Sequence, residues 1–203
     1  MNRHLLITIF CQSAVGGLFL NLAPVTSNLV NEFNISYADI GLLTTSFIVG
    51  QALISIPAGY LSDRFGVIRV YFTANLCVTF VALLLALSTS MVQITVLRFL
   101  LGLVMGTQFV VGSSYLAYWS PSGRATLYQG LYGCGYNVGI TLSFLLAGPQ
   151  VQLFGWRGVF LIPGILTALA TIALGIFGVE PRNKPTAPSM TLRRLFKLPF
   201  LRL

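Results

Sequence analysis

Six apolar stretches, at about 5–26, 38–59, 68–88, 91–113, 126–149 and 157–178, fill most of this 203-residue chain. A helix needs roughly 20 apolar residues to cross about 30 Å of hydrocarbon, and each stretch meets that length. Strands of a membrane barrel would alternate apolar and polar positions over about ten residues. These runs are longer and do not alternate, so they read as helices. The connections between them are short and leave no room for a soluble domain. Composition agrees, because 8% of the residues are charged and 56% are hydrophobic, whereas a soluble domain carries about 25% charge. So few charges cannot cover a water-facing surface, which excludes a cytosolic enzyme, a secreted disulfide scaffold and a disordered tail. The expected architecture is all-α and integral to a lipid bilayer, with six transmembrane helices in residues 1–180.

The placement of Lys and Arg sets the orientation. Arg3, Arg64, Arg69, Arg124, Arg182, Lys184, Arg193, Arg194, Lys197 and Arg202 fall on one side of the six-span arrangement; Arg157 alone falls on the other, and Arg98 lies within span 4. Both termini are therefore expected in the cytoplasm, with the chain in the plasma (cell inner) membrane. The formal net charge of +8 is then a topology signal and not a nucleic-acid footprint. The first stretch follows Arg3 as the core of a signal peptide would. It is longer than such a core and five more stretches follow, so it reads as a retained first span. Cys11, Cys77 and Cys134 all lie in apolar stretches, too far apart for a metal-ligand cluster, and read as packing residues.

The chain also carries a trace of internal duplication. Ala58-Gly59 is followed by Phe65-Gly66, Arg69 and Phe72 between spans 2 and 3, while Ala147-Gly148 is followed by Phe154-Gly155, Arg157 and Phe160 between spans 5 and 6. The Ala-Gly to Phe-Gly spacing is the same in both places, three spans apart and hence on opposite membrane faces. A three-plus-three inverted repeat leaves this kind of trace.

The segment Gly59 to Arg69, GYLSDRFGVIR, resembles the signature loop of the major facilitator superfamily through Gly59, Leu61, Asp63, Arg64, Gly66 and Arg69, and departs from it at Ile68. Two further segments are similar to that family: Arg98 to Gly106 in span 4, with its Arg-x-x-x-Gly spacing, and Gly155-Trp156-Arg157 before span 6. Span 5 carries Ser143-Phe144 where many proton-coupled drug antiporters of the family have Gly-Pro, which speaks against a drug exporter. Family members have two six-span halves, so the resemblance implies a secondary transporter working by alternating access, of which this chain is one half. It also implies a gating role for Gly59, Asp63, Arg64, Gly66 and Arg69. In that role Asp63, at the cytoplasmic surface, accepts hydrogen bonds from a facing helix N-terminus. The implied partners are a small-molecule substrate and a second six-span half, either a C-terminal half missing from a truncated frame or a second copy. Residues 181–203 read as a basic cytoplasmic linker. Within it Leu192, Leu195 and Phe196 oppose Arg193, Arg194 and Lys197, as in a segment lying at the headgroups.

Polar groups in hydrocarbon are costly and tend to face a bundle interior or a watery cavity. Gln129, Tyr132, Tyr136 and Ser143 share one stripe of span 5. With Asn21 in span 1, Gln51 in span 2, and Arg98 and Gln108 in span 4, the first three of these form the expected substrate pathway. Spans 3 and 6 offer only Asn75 and a few Thr, as outer, lipid-facing supports would. Arg98 is the costliest residue, since no acidic residue in any span is placed to neutralise it. Three roles stay open for it: attracting an organic anion, hydrogen-bonding to neighbouring helix backbones, or pairing with the missing half. Without intramembrane carboxylates this half supplies no obvious proton relay. Gly102-x-x-x-Gly106 and Gly135-x-x-x-Gly139 are small-residue spacings that let spans 4 and 5 pack closely.

The leading function is therefore solute transport, and the rivals are a non-transporting half-size sensor or assembly factor and an inactive fragment. An enzyme has least support: the single His is His4, and no metal motif, phosphate-cradling loop, nucleophile constellation or cofactor signature appears. The orientation has a direct check. In intact cells, cysteines introduced at 31–36 should react with an impermeant thiol reagent and cysteines at 182–190 should not; the reverse pattern contradicts the assignment.

Overall fold

The computed structural model describes residues 3–181, and every regular element among them is helical. The α-helices are α1 (Arg3–Gly16), α2 (Thr26–Phe33), α3 (Tyr37–Phe65), α4 (Val67–Ala86), α5 (Met91–Trp119), α6 (Ala125–Phe154) and α7 (Gly158–Phe177). Short 3-10 turns stand at Ala23–Val25 and Gly155–Arg157. Four helical runs are long and apolar enough to cross a bilayer: Tyr37–Phe65, Val67–Ala86, Met91–Trp119 and Ala125–Phe177, the last holding both α6 and α7. The expected linker segment from 182 onward lies outside the described residues.

Two expectations about local structure are corrected. The first stretch is not one continuous helix, because α1 stops at Gly16. Leu18 N–H then donates to Val15 O and Phe19 N–H to Gly16 O, tightening the chain into three-residue turns before Pro24 opens the next turn. Gly16-Gly17 lowers helix propensity at this point, and hydropathy is blind to it. The second correction concerns Gly59 to Arg69, read above as a loop. It is helical to Phe65, and Gly66 alone separates α3 from α4. Backbone groups near hydrocarbon must be hydrogen-bonded within the protein, which favours continuing the helix to its last possible turn. Gly66 has φ 98°, a left-handed conformation that side-chain-bearing residues rarely adopt, and Gly155 ends α6 with φ 64°. The two Phe-Gly pairs seen in the sequence are thus two sharp helix ends of the same kind. For the same reason α5 and α6 run several residues beyond the apolar stretches that announce them.

The most extensive helix contact is α3 with α5, followed by α4 with α5, α4 with α7, and α1 with α6; α5 and α6 touch each other only lightly. The Gly-x-x-x-Gly spacings serve the first and last of these contacts. A Cβ on Gly102 would strike the Phe47 carbonyl of α3, and one on Gly139 would strike the Ser13 carbonyl of α1. These backbones approach to a distance that only glycine allows.

Interactions at the two ends of the bundle fix the connections. At one end the His4 ring stacks on Trp119 with centroids 3.9 Å apart, and His4 Nδ1 pairs with Tyr115 Oη at 2.9 Å. Burial, and secondarily Arg3, holds the His4 pKa below 6.5. At the same end Val67 N–H and Ile68 N–H donate to the Glu180 carboxylate at 3.1 and 3.0 Å, capping α4. Arg157, the exception in the charge pattern, sits at the other end. It donates to Glu32 at 3.1 Å and to Ser88 O at 3.1 Å, while Trp156 Nε1 donates to the second Glu32 oxygen.

A Gly139→Ala variant should lose about 1–3 kcal/mol of stability through overpacking. Gly148→Ala, where nothing lies within 4 Å of the added Cβ, should be neutral or gain up to about 1 kcal/mol from helix propensity. Denaturant unfolding in detergent followed by circular dichroism distinguishes the two.

Candidate functional site

The break in the first helix creates the most demanding site in the molecule. Where a helix stops, the carbonyls that follow lose their helical partners, and here Leu18 O and Phe19 O, in the turn just past α1, lie among buried helices. Arg98 of α5 meets them. Its Nη1 donates to Leu18 O at 3.2 Å and to Asn21 Oδ1 at 3.3 Å, and its Nη2 donates to Phe19 O at 3.5 Å. Asn21 then donates through Nδ2 to Val159 O of α7 at 2.9 Å. Arg98 is 1% exposed, and its guanidinium carbon stands 5.2 Å from the centroid of the Phe47 ring. A cation at the C-terminal end of α1 also complements the helix dipole. Arg98 has no carboxylate partner; the salt bridge found among the described residues is Arg157–Glu32.

Beside this staple, the turn after α1 together with α3, α5 and α6 presents an aromatic wall. Phe19 lies 5.6 Å from both Phe47 and Tyr136, and Phe109 lies 5.7 Å from Tyr132 and 6.1 Å from Tyr136, centroid to centroid. Tyr132 is buried and donates its hydroxyl proton to Phe109 O at 3.1 Å, whereas Tyr136 is half-buried. Gln129 is held edge-on by Ser113: the Ser113 hydroxyl donates to Gln129 Oε1 and Gln129 Nε2 donates to Ser113 O, both at 2.9 Å. Gln51 lines an open depression of about 330 Å³ with Ser55, Gly106, Phe109 and Val110. Gln108 turns away from this depression. It is buried beside Tyr71 of α4.

The structure therefore brings Arg98 and Asn21 together, sets Gln51, Tyr132 and Tyr136 around Phe109, and turns the Gln108 side chain to Tyr71 while its backbone O lies 3.5 Å from the Tyr132 hydroxyl. Phe19, Phe47 and Phe109 escape a search for polar groups because they are apolar, although Phe109 is 40% exposed. Ser113 was legible only through its partner on another helix. Among the gating residues, Gly59 is half-buried and Asp63, Arg64 and Arg69 are exposed; Gly66 is buried, with Glu180 beside it. Among the described residues Glu180 meets the N-terminus of α4 and Asp39 that of its own helix α3, whereas Asp63 meets none. No cluster of His, Cys, Asp and Glu among these residues is placed to hold a metal ion. The arrangement offers aromatic faces, amides and one buried guanidinium.

Comparison with known proteins agrees with this architecture. The family model of the Major Facilitator Superfamily matches residues 5–203. The cis,cis-muconate transport protein of Acinetobacter baylyi is 30% identical over 199 residues, covering 94% of this chain and 48% of that protein. The probable nitrate transporter NarT of Staphylococcus aureus is 27% identical, covering 89% of this chain and 47% of its own. Among solved structures, a bacterial homolog of the human lysosomal transporter Spinster, in an inward-facing and occupied conformation, superposes with a TM-score of 0.81 at 21% identity, covering 91% of this chain and 46% of that one. The POT family transporter PepTSo superposes with a TM-score of 0.77 at 19% identity, covering 93% and 40%. The chain thus spans about half the length of the relatives it matches. With the family model matched along nearly its whole length, this multi-pass membrane chain belongs to the Major Facilitator Superfamily.

Proposed function

We propose that this chain forms one six-span half of a secondary transporter that moves a small organic anion across the plasma membrane by alternating access. The observation that carries the reading is Arg98: a buried guanidinium with no carboxylate partner, directly behind an aromatic wall. Unneutralised charge in a low-dielectric bundle acts over several ångströms, so it favours an anion at the wall even while its own donors serve Leu18, Phe19 and Asn21. Two relatives named for transport of muconate and nitrate, both anions, support the same sign.

A three-plus-three inverted repeat is supported by the matched helix ends at Gly66 and Gly155. It is supported as well by the exchange of roles between contacts: the second span packs on the fourth through Gly102 as the fifth packs on the first through Gly139. The pathway in this reading is walled by Gln51, Tyr132, Tyr136 and Gln129, with Phe19 and Phe109, while Asn21 and Arg98 hold the broken helix behind it. Gln108 lies inside the half-bundle and shapes the wall from within. The end carrying Arg3, Arg64, Arg69 and Arg124 faces the cytoplasm, where Asp63 and its neighbours close against the second half.

In a complete protein containing these residues, Asp63→Asn should reduce uptake by about tenfold by weakening one closed state, with expression unchanged; full uptake would make the motif a topology signal only. For the substrate, Arg98→Lys keeps the charge but loses the planar fork. Affinity for a labelled dicarboxylate such as muconate should fall, and Arg98→Gln should abolish the preference for that anion over a neutral analogue. Equal binding of the two solutes by the parent, with a Gln variant that only unfolds, would reduce Arg98 to a structural staple.

A further inference from the structure

We propose that the centre of the half-bundle binds a cluster of internal water molecules held by Gln12 of α1, Tyr71 and Asn75 of α4, and Gln108 of α5. All four residues are fully buried, at 0% exposure. Yet Gln12 Nε2 and Oε1 and Asn75 Oδ1 have no hydrogen-bonding partner among the described residues, and the Gln108 amide and Tyr71 hydroxyl make no hydrogen bond of good geometry, Tyr71 only approaching Gln108 and Cys11. Buried polar side chains are almost always satisfied, and a cluster of open groups in one place calls for a shared ligand.

Tyr71 connects Gln108 with Asn75, and helix register brings Gln12 to the same level. The Tyr71 side chain stands next to Cys11 and Gln108. Asn75 is one turn further along α4, with its Nδ2 donating to Tyr71 O at 2.9 Å. Tyr71 and the Tyr132 hydroxyl also meet over Gly112, one turn beyond Gln108. Gln12 follows Cys11 and recurs at four-residue spacing with His4 and Thr8, on the face of α1 that meets α5. The His4–Tyr115 and Leu18–Arg98 contacts run α1 antiparallel to α5, and this register puts Gln12 level with Met105 to Gln108.

The chemistry of the open atoms selects the ligand. Each amide presents donors as well as an acceptor. A cation would satisfy the oxygens and leave both Nε2 groups open, and an anion would do the opposite. Water answers both, and a buried water needs just such a set of two to four polar partners. Full burial, with Gln108 turned from the depression at Phe109, separates the cluster from the transported solute. Waters at this level let α1, α4 and α5 shift against one another without breaking direct side-chain bonds.

Radiolytic hydroxyl-radical labelling of the chain in lipid nanodiscs tests this, because bound water generates the radical in place. Tyr71 should be oxidised several-fold faster than Phe160, an equally buried residue of the apolar core. Labelling of Tyr71 should fall several-fold in Gln108→Leu, or in Gln12→Leu should the first variant not fold, while Phe160 is unchanged. Tyr71 labelled no faster than Phe160, or labelled equally in a folded variant, overturns the proposal. A thermal stability that rises with sodium over choline, and loses that rise in Gln108→Leu, overturns it in favour of a cation.

Discussion

Within a bilayer every backbone polar group must find its partner inside the protein, and the first helix of this chain breaks that rule in its own ladder. Once α1 ends at Gly16, Leu18 O and Phe19 O need donors from elsewhere, and the Arg98 guanidinium supplies them. The break and the arginine make sense only together. A deeply placed Arg costs roughly 3 kcal/mol on insertion scales, and unpaired carbonyls cost about 1–3 kcal/mol each; each expense cancels part of the other. Asn21 extends the staple to Val159, so one side chain of α5 fixes the positions of α1 and α7.

Close approach of the helices follows from a second device. Gly102 and Gly139 let α5 lie on α3 and α6 lie on α1 with carbonyls where a methyl group would otherwise stand. In hydrocarbon the hydrophobic effect does not drive helices together, so this contact is where the packing enthalpy comes from. Polar clasps then hold the bundle at its ends, Glu180 on α4 at one and Glu32 with Trp156 and Arg157 at the other. Three of the four acidic residues thereby act on backbone or partner side chains within the half, since Asp39 caps α3 through Ser36; Asp63 remains exposed for contacts beyond it.

Much of this is legible in one sequence because bilayer thickness writes itself as apolar length. The five stretches from 38–59 to 157–178 fall on long helices while the first is broken after Gly16, and the Phe65-Gly66 and Phe154-Gly155 pairs mark real helix ends. What escapes is set by forces that hydropathy does not carry. The break after Gly16 is a backbone event inside an apolar run. Helix ends at Trp119 and Phe154 overshoot because hydrogen-bonded helix continues past the hydrocarbon. Helical periodicity sets Gln129, Tyr132 and Tyr136 on one stripe, but cannot say that Gln129 pairs with Ser113, or that Tyr132 is buried against Phe109 O while Tyr136 remains half-open. Gln108 shares the polar character of a pathway residue and faces the opposite way, toward Tyr71. Glu180 caps a helix more than a hundred positions earlier, a pairing that no local pattern announces.

The account rests most heavily on Arg98 closing the break in the first helix, and that contact is directly measurable. Solid-state dipolar recoupling in lipid, with 15N at the Arg98 guanidinium and 13C at the carbonyls of Leu18 and Phe19, should show short-range transfer to both carbons. Transfer absent at both, with the guanidinium exchanging rapidly with water, would mean that the first helix satisfies its backbone in some other way and that Arg98 is free for the solute alone.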